Sequence, residues 1–114
     1  MSECLFCRIA ARQIPAEIVD ENPAALAFND IHPQAPLHIL IIPKSHIAAI
    51  SELTDATAPV MTTMILMATQ LAKRHPAAQA GYRVVVNCGP QAGQSVDHLH
   101  LHLLGGRRLT WPPG

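Results

Sequence analysis

Residues 98–104 alternate histidine with leucine, and this alternation constrains the fold more than any other feature of the chain. Successive side chains of a strand point to opposite faces, so His98, His100 and His102 share one face and the leucines share the other. The leucines are expected to anchor the strand in a core, while the histidines line an exposed face about 6–7 Å apart. The segment from His98 to Leu104 is therefore predicted to be the last strand of a sheet.

Apolar runs and turn residues divide the rest of the chain into short elements. The other predicted strands are 17–21, 24–29, 37–42 and 81–87, and the predicted helices are 5–13 and a longer one ending near Arg74. Thr54 or Asp55 is expected to cap the long helix, with Pro59 in its first turns. This helix is apolar over a wide arc, so it should bury one face on the sheet and another on a partner. These elements predict one α+β domain over residues 1–114, with five mainly antiparallel strands and two helices.

Composition limits the classes of function. Hydrophobic residues make up 49% of the 114 residues, which supplies material for one core. Eight Lys and Arg residues balance eight Asp and Glu residues, so no broad nucleic-acid-binding surface is expected. The N-terminal residues lack a signal-peptide pattern, and polar residues interrupt the apolar stretch near 60–72. We therefore expect a cytoplasmic protein that binds neither nucleic acid nor membrane.

Three interpretations fit the alternating histidines. The first is a half-exposed strand without chemistry, although strict alternation of an uncommon residue argues against chance. The second is a three-histidine metal site that activates water. The third is a nucleophile flanked by helpers, because a neutral imidazole has a lone pair that can attack phosphorus while its neighbours hydrogen-bond the phosphate oxygens. The third interpretation makes His98, His100 and His102 candidate catalytic residues.

The motif His98–Leu104 resembles that of the histidine-triad (HIT) family, in which histidines alternate with apolar residues. The similarity extends along nearly the whole chain and is greatest to the Hint branch. The segments that carry it are 4–7 (CLFC), 13–16 (QIPA), 27–31 (AFNDI), 33–36 (PQAP), 42–46 (IPKSH), 93–96 (GQSV) and 111–114 (WPPG). The resemblance implies a HIT-like fold that dimerises into a ten-stranded sheet.

The resemblance also implies roles for individual residues. His100 corresponds to the nucleophile that becomes nucleotidylated, His102 to the residue that contacts the scissile phosphate, and His38 to an additional histidine behind the triad. The residues implied to contact phosphate, leaving group or ribose are Ser95, the backbone of Gly93 and Gln94, Asn87 and Asp30. The residues implied to form the base slot are Phe6, Ile9, Phe28 and Ile31. Trp111 belongs to a tail that reaches the partner's active site in the family.

Cys4 and Cys7 have two interpretations. Some relatives hold a structural zinc with a Cys-x-x-Cys pair, the histidine after Pro-Lys-x and the first triad histidine. The corresponding residues here are Cys4, Cys7, His46 and His98. The alternative is a pair of reduced, partly buried thiols.

Two residues depart from the Hint pattern. Asp97 stands where an aromatic residue usually precedes the triad, and Thr110 stands where some members carry histidine. Asp97 should point away from His98, whereas Thr110 is expected to alter the leaving-group preference.

The resemblance implies hydrolysis of purine nucleoside phosphoramidates, including aminoacyl or lysyl adenylates, without a catalytic cofactor. The alternatives are a dinucleoside polyphosphate hydrolase of the Fhit type and a nucleotide-binding scaffold protein with little catalysis.

Overall fold

A computed structural model of the protein describes residues 3–114, so Met1 and Ser2, at the start of the N-terminal segment considered for a signal peptide, lie outside the described residues. The strands are β1 (Ile18–Glu21), β2 (Ala25–Asn29), β3 (Leu37–Pro43), β4 (Tyr82–Val85) and β5 (Leu101–Gly105). The helices are α1 (Leu5–Ala10) and α2 (Pro59–Arg74), with short 3₁₀ turns at Ile50–Glu52, Pro76–Ala78 and Pro90–Ala92.

The five strands form one antiparallel sheet in the order β1-β2-β3-β5-β4. The predicted α+β class with five antiparallel strands and two helices is confirmed. β3 lies at the centre of the sheet, and all seven of its residues are buried; six are apolar and the seventh is His38. None of the helices in the described part of the chain combines the length and the apolar character needed to cross a membrane.

The two faces of the sheet carry separate hydrophobic clusters. On one face, α2 packs on β3 and β5, with Met64, Ile41 and Leu101 each completely buried. On the other face, α1 packs on β2 and β3, where Phe6 and Phe28 are the largest members of the cluster. The residues that pack against the triad histidines lie on the face covered by α1.

The long helix begins later than predicted. Thr54 and Thr57 hydrogen-bond to each other in a separate turn, and Pro59 is the first residue of α2. The predicted capping by Thr54 or Asp55 is therefore wrong. The helix buries one face on the sheet, whereas Ile65 and Leu66 are 45% and 54% exposed.

The first helix and the last strand are both shorter than predicted. α1 ends at Ala10 rather than residue 13, and Arg12 then adopts a positive φ of 62°. β5 begins at Leu101 rather than His98, because the Leu99 amide donates to the carbonyl of Ile47 instead of pairing with β3. The prediction that all three histidines line an exposed face is also wrong, since His98 and His100 are 0% and 5% exposed.

Candidate active site

The ring of His100 is fixed by a backbone contact. Its Nδ1 lies 2.7 Å from the carbonyl oxygen of His98. A carbonyl only accepts hydrogen bonds, so Nδ1 carries the proton and Nε2 of neutral His100 carries the lone pair. None of the residues 3–114 forms a hydrogen bond with this Nε2. The structure therefore presents His100 in the tautomer that a nucleophile requires.

Phe6 packs against the nucleophile candidate. Its ring lies edge-on to His100, with centroids 5.1 Å apart, and edge-on to Phe28 at 5.5 Å. Phe6, Phe28 and Ile9 are all buried, whereas Ile31 is 85% exposed. Of the four residues predicted to form the base slot, three therefore form core beneath the site, and Ile31 presents free apolar surface.

His38 and His102 form a hydrogen-bonded pair. The Gln34 amide donates to Nδ1 of His38 at 3.0 Å, so the proton of neutral His38 is on Nε2, which lies 2.9 Å from Nδ1 of His102. His102 accepts at Nδ1 and consequently carries its own proton on Nε2. The rings of His100 and His102 have centroids 5.0 Å apart. His100 therefore offers a lone pair at Nε2, and its neighbour His102 offers an N–H donor at Nε2.

Burial keeps this histidine pair neutral. It lowers the pKa of His102 to about 4, with further lowering by the charges of His100 and His38 and a smaller opposing effect of Asp30. Burial also lowers the pKa of His38, again opposed by Asp30. At pH 7 both rings are therefore hydrogen-bonding groups without charge.

Asp30 follows β2 and faces His38. Its Oδ1 accepts the amide of His32 at 2.8 Å, which forms the turn before Pro33, and its Oδ2 lies 3.5 Å from Nε2 of His38. The carboxylate is partly exposed, so one side chain both shapes the turn and leaves an acceptor at the edge of the site. This position is compatible with the predicted ribose contact.

Hydrogen bonds of the Gln94 side chain stabilise the loop before the triad. Its side chain accepts from the Gly89 amide at 2.9 Å and donates to the carbonyls of Ala48 and Val96 at 2.8 and 3.1 Å. The backbone amides of Gly93 and Gln94 donate within the loop, to Pro90 and Gly89.

The two amides for which a phosphate contact is expected thus donate to carbonyls of their own loop. Within the loop, they support a turn at Gly93, which has a φ of 95°. Ser95 is exposed, and Asn87 lies close enough that a Cβ at Gly93 would be 3.9 Å from its Nδ2.

A cavity of about 540 Å³ opens beside the histidines. His38, His102 and Asn87 line it together with Arg83 and Arg107, two residues that sequence reasoning did not assign to the site. A pair of arginines follows Gly105-Gly106 in the sequence, but only the pairing of β4 with β5 brings Arg83 next to them. Pro113 and Gly114 also line the cavity, whereas Trp111 is 82% exposed.

Cys4, Cys7, His46 and His98 form a second cluster at the start of α1. Cys4 caps the helix, which places Cys7 one turn away, and the four ligand atoms all lie within 4.8 Å of one another. Cys7 Sγ to His46 Nδ1 is 3.2 Å, Cys4 Sγ to His98 Nδ1 is 3.3 Å, and the two Nδ1 atoms are 3.2 Å apart. Tetrahedral zinc with these ligands would place them roughly 3.3–3.8 Å apart.

The orientation of His98 also fits a metal ligand. Its Nε2 lies 2.8 Å from the carbonyl of Pro43 and donates to it, so the lone pair is on Nδ1, within the cluster. Both nitrogens of this buried ring are thus directed away from the cavity. The side chain of His98 thus faces the cluster, while its carbonyl contacts the ring of His100.

Comparison with known proteins agrees with this architecture. A family model described as "HIT domain" matches residues 11–109. An uncharacterized HIT-like protein of Synechococcus elongatus is 49% identical over the full length of both chains. The crystal structure of a HIT family hydrolase from Legionella pneumophila superposes with a TM-score of 0.94 at 50% identity, covering 98% of this chain and 100% of that one. A histidine triad protein from Clostridium difficile gives 0.92 at 39% identity, covering 96% of each chain. The chain therefore belongs to the HIT family.

Proposed function

We propose that this protein hydrolyses purine nucleoside phosphoramidates through a nucleotidyl-histidine intermediate on His100. The observation that carries the proposal is the hydrogen bond from His100 Nδ1 to the carbonyl of His98, which leaves Nε2 as the nucleophilic atom. The Legionella relative is named a hydrolase, which supports hydrolysis as the reaction class.

The reaction has two displacement steps at the α-phosphorus. In the first, Nε2 of His100 forms a bond to phosphorus as the phosphorus–nitrogen bond breaks, and the departing amine takes up a proton from solvent. In the second, water attacks phosphorus as the bond to His100 breaks, the attacking water loses a proton to solvent, and the nucleoside monophosphate is released. The protein's own histidines therefore suffice for group transfer without a catalytic cofactor.

His102 supports both steps as a neutral donor. Its Nδ1 is occupied by His38, so its Nε2–H is available to a phosphate oxygen where charge develops. The low pKa of His102 favours hydrogen bonding over permanent charge at neutral pH. Asn87, Ser95 and Asp30 are proposed to hold phosphate, leaving group and ribose, while Ile31 covers the base and Trp111 belongs to the tail beside the site.

The protein is further proposed to be a cytoplasmic homodimer of the Hint branch. β4 is an edge strand in the described sheet, and Tyr82 and Val84 on it are 45% and 38% exposed. Ile65 of α2 adds exposed apolar area. Pairing two β4 strands would join the sheets into ten strands and cover these side chains.

A structural zinc is proposed for the cysteine–histidine cluster. Cys4, Cys7, His46 and His98 would hold it, and its role there would be to tie α1 to the segment before β5. The bound metal would fix the His98 backbone and hence the His100 ring.

The deciding experiment compares wild-type protein with His100→Ala on adenosine 5′-phosphoramidate, with AMP binding measured in both. We expect AMP release by wild type, a loss of about 10³-fold or more in the variant, and retained AMP binding. AMP binding without turnover by wild type would reject the phosphoramidase proposal. Hydrolysis of diadenosine polyphosphates would then indicate an Fhit-like enzyme, and its absence a nucleotide-binding scaffold.

A further inference from the structure

Arginine side chains that form no ion pair with an Asp or Glu of the described residues collect on one side of the histidine site. Arg83 and Arg107 line the cavity beside His102, and they also line a second cavity of about 720 Å³, together with Arg108. No Asp or Glu side chain lines either cavity, and none of the ion pairs among the described residues includes Arg83, Arg107 or Arg108. In a chain with a formal net charge of zero, this is a local concentration of positive charge.

The guanidinium groups of Arg83 and Arg107 are held by backbone carbonyls, but neither group uses all of its hydrogen-bond donors. Arg83 donates from Nη2 to the carbonyl of Thr110 at 2.9 Å. Arg107 donates from Nε to the carbonyl of Gln34 at 2.9 Å and from Nη1 to that of Arg108 at 3.1 Å. A guanidinium has five N–H donors, so both groups retain donors for a further acceptor. These backbone contacts orient the positive groups before any ligand binds.

The order of the strands assigns these arginines to the leaving-group side. Asp30, proposed to hold the ribose, follows β2, whereas Arg83 lies on β4, beyond β5 and its His102. Val85 pairs with His102, and Arg83 is two residues away on the same face of β4. A substrate with its α-phosphorus at the histidines and its nucleoside toward β2 therefore extends its leaving group toward Arg83.

We propose that the preferred leaving group is anionic and carries a carboxylate or phosphate that Arg83 and Arg107 bind, with Arg108 reaching longer leaving groups. This inference rests on the proposed function and narrows it to a substrate class. Carboxylate and phosphate oxygens both match the fork of N–H donors on a guanidinium. Neutral amines gain no charge attraction from these arginines, and cationic amines are repelled by them.

The test uses adenosine 5′-phosphoramidates with leaving amines of similar length. β-Alanine supplies a carboxylate, aminoethyl phosphate supplies a phosphate, β-alaninamide is neutral and ethylenediamine is cationic. We expect kcat/KM for the anionic substrates to exceed that for the neutral amide by about tenfold, with the cationic substrate lowest. The faster of the two anionic substrates identifies which anion the arginines favour.

Variants separate charge recognition from structural support. In Arg83→Gln/Arg107→Gln the anionic-to-neutral ratio should fall to about one, and Arg83→Lys/Arg107→Lys should recover part of it. Arg12→Gln is the matched control, because Arg12 pairs with Glu21 away from both cavities and its loss should leave the ratio unchanged. Since each effect is a ratio within one protein, a general loss of activity does not imitate it.

Two outcomes would overturn the inference. One is an equal kcat/KM for the anionic and neutral substrates in wild type, and the other is a ratio that survives the double glutamine substitution. In both cases, continued hydrolysis of the neutral substrate that depends on His100 would leave the proposed function intact. Failure of wild type to cleave any of the four substrates would instead remove the proposed function, and the inference with it.

Discussion

The carbonyl of His98 accepts a hydrogen bond from Nδ1 of His100 at 2.7 Å, so the main chain of one triad histidine determines the tautomer of the next. The side chain of His98 belongs to the cluster with Cys4, Cys7 and His46. A single residue thus joins the proposed zinc site to the proposed nucleophile.

The first prediction concerns metal content. Wild-type protein purified with zinc should contain about one equivalent, and Cys7→Ser should contain much less and melt several degrees lower, because the cluster loses a thiolate. Elemental analysis and thermal unfolding measure both effects. Cys88→Ser is the matched control, since Cys88 is an exposed thiol outside the cluster. Equal zinc in wild type and Cys7→Ser would contradict the prediction.

The second prediction concerns acid stability. The pKa of His102 is lowered to about 4, whereas an unfolded histidine titrates near 6.5, so the unfolded chain binds the extra proton between these values. The stability linked to neutral His102 is therefore complete above about pH 6.5 and is lost as the pH falls toward 4. Urea unfolding should show a shallower loss in His102→Asn than in wild type. Identical pH dependence would refute this contribution. The cysteine–histidine cluster is the same in both proteins, so its own pH dependence cancels in the comparison.

The third prediction separates packing from catalysis. Phe6 and Phe28 are equally buried at 4% exposure, but of these two rings Phe6 is the one in contact with His100. Phe6→Leu and Phe28→Leu should each lower the free energy of unfolding by about 1–2 kcal/mol. Only Phe6→Leu should also lower kcat, because the His100 ring loses the aromatic ring that packs against it. Equal kcat effects in the two variants would show that the contact does not position His100.

The fourth prediction concerns the loop at residues 89–95. Gln94→Glu replaces the amide donor that serves Ala48 and Val96 with a carboxylate facing two carbonyls. We expect a loss of about 2 kcal/mol in stability and faster amide hydrogen exchange in the loop. Gln91→Glu, at an exposed position of the same loop, adds the same charge and should change neither quantity. Equal rates of amide hydrogen exchange in the two variants would show that the Gln94 side chain does not stabilise the loop.

The fifth prediction concerns association. Ile65→Glu places a charge on the exposed apolar surface of α2 and should convert a dimer to a monomer, because burying an unpaired carboxylate is costly. Light scattering after gel filtration measures the mass. Gln70→Glu, also exposed on α2 but on the side that faces β1, should remain dimeric. A monomeric wild type would disprove the dimer at once.

The sequence alone was enough to predict the fold class and the identity of the central strands. Strong patterns made this possible: the apolar run in β3 and the buried leucines of β5 leave few alternatives to a sheet. Element ends were less predictable, because they depend on hydrogen-bond competition between distant segments. The Leu99 amide donates to Ile47, so residues 98–100 lie outside the strand pairing, which no local pattern indicates.

The candidate site was likewise predictable from the sequence only in part. Residue type and spacing singled out the histidines and cysteines, since their chemistry is uncommon enough to recognise in one dimension. Tertiary structure decided that His98 faces the cysteines, that His38 hydrogen-bonds His102, and that Arg83 shares a cavity with Arg107. Tautomers, pKa shifts and charge clusters arise from neighbours far apart in the chain, so they exist only once the sheet has brought those neighbours together.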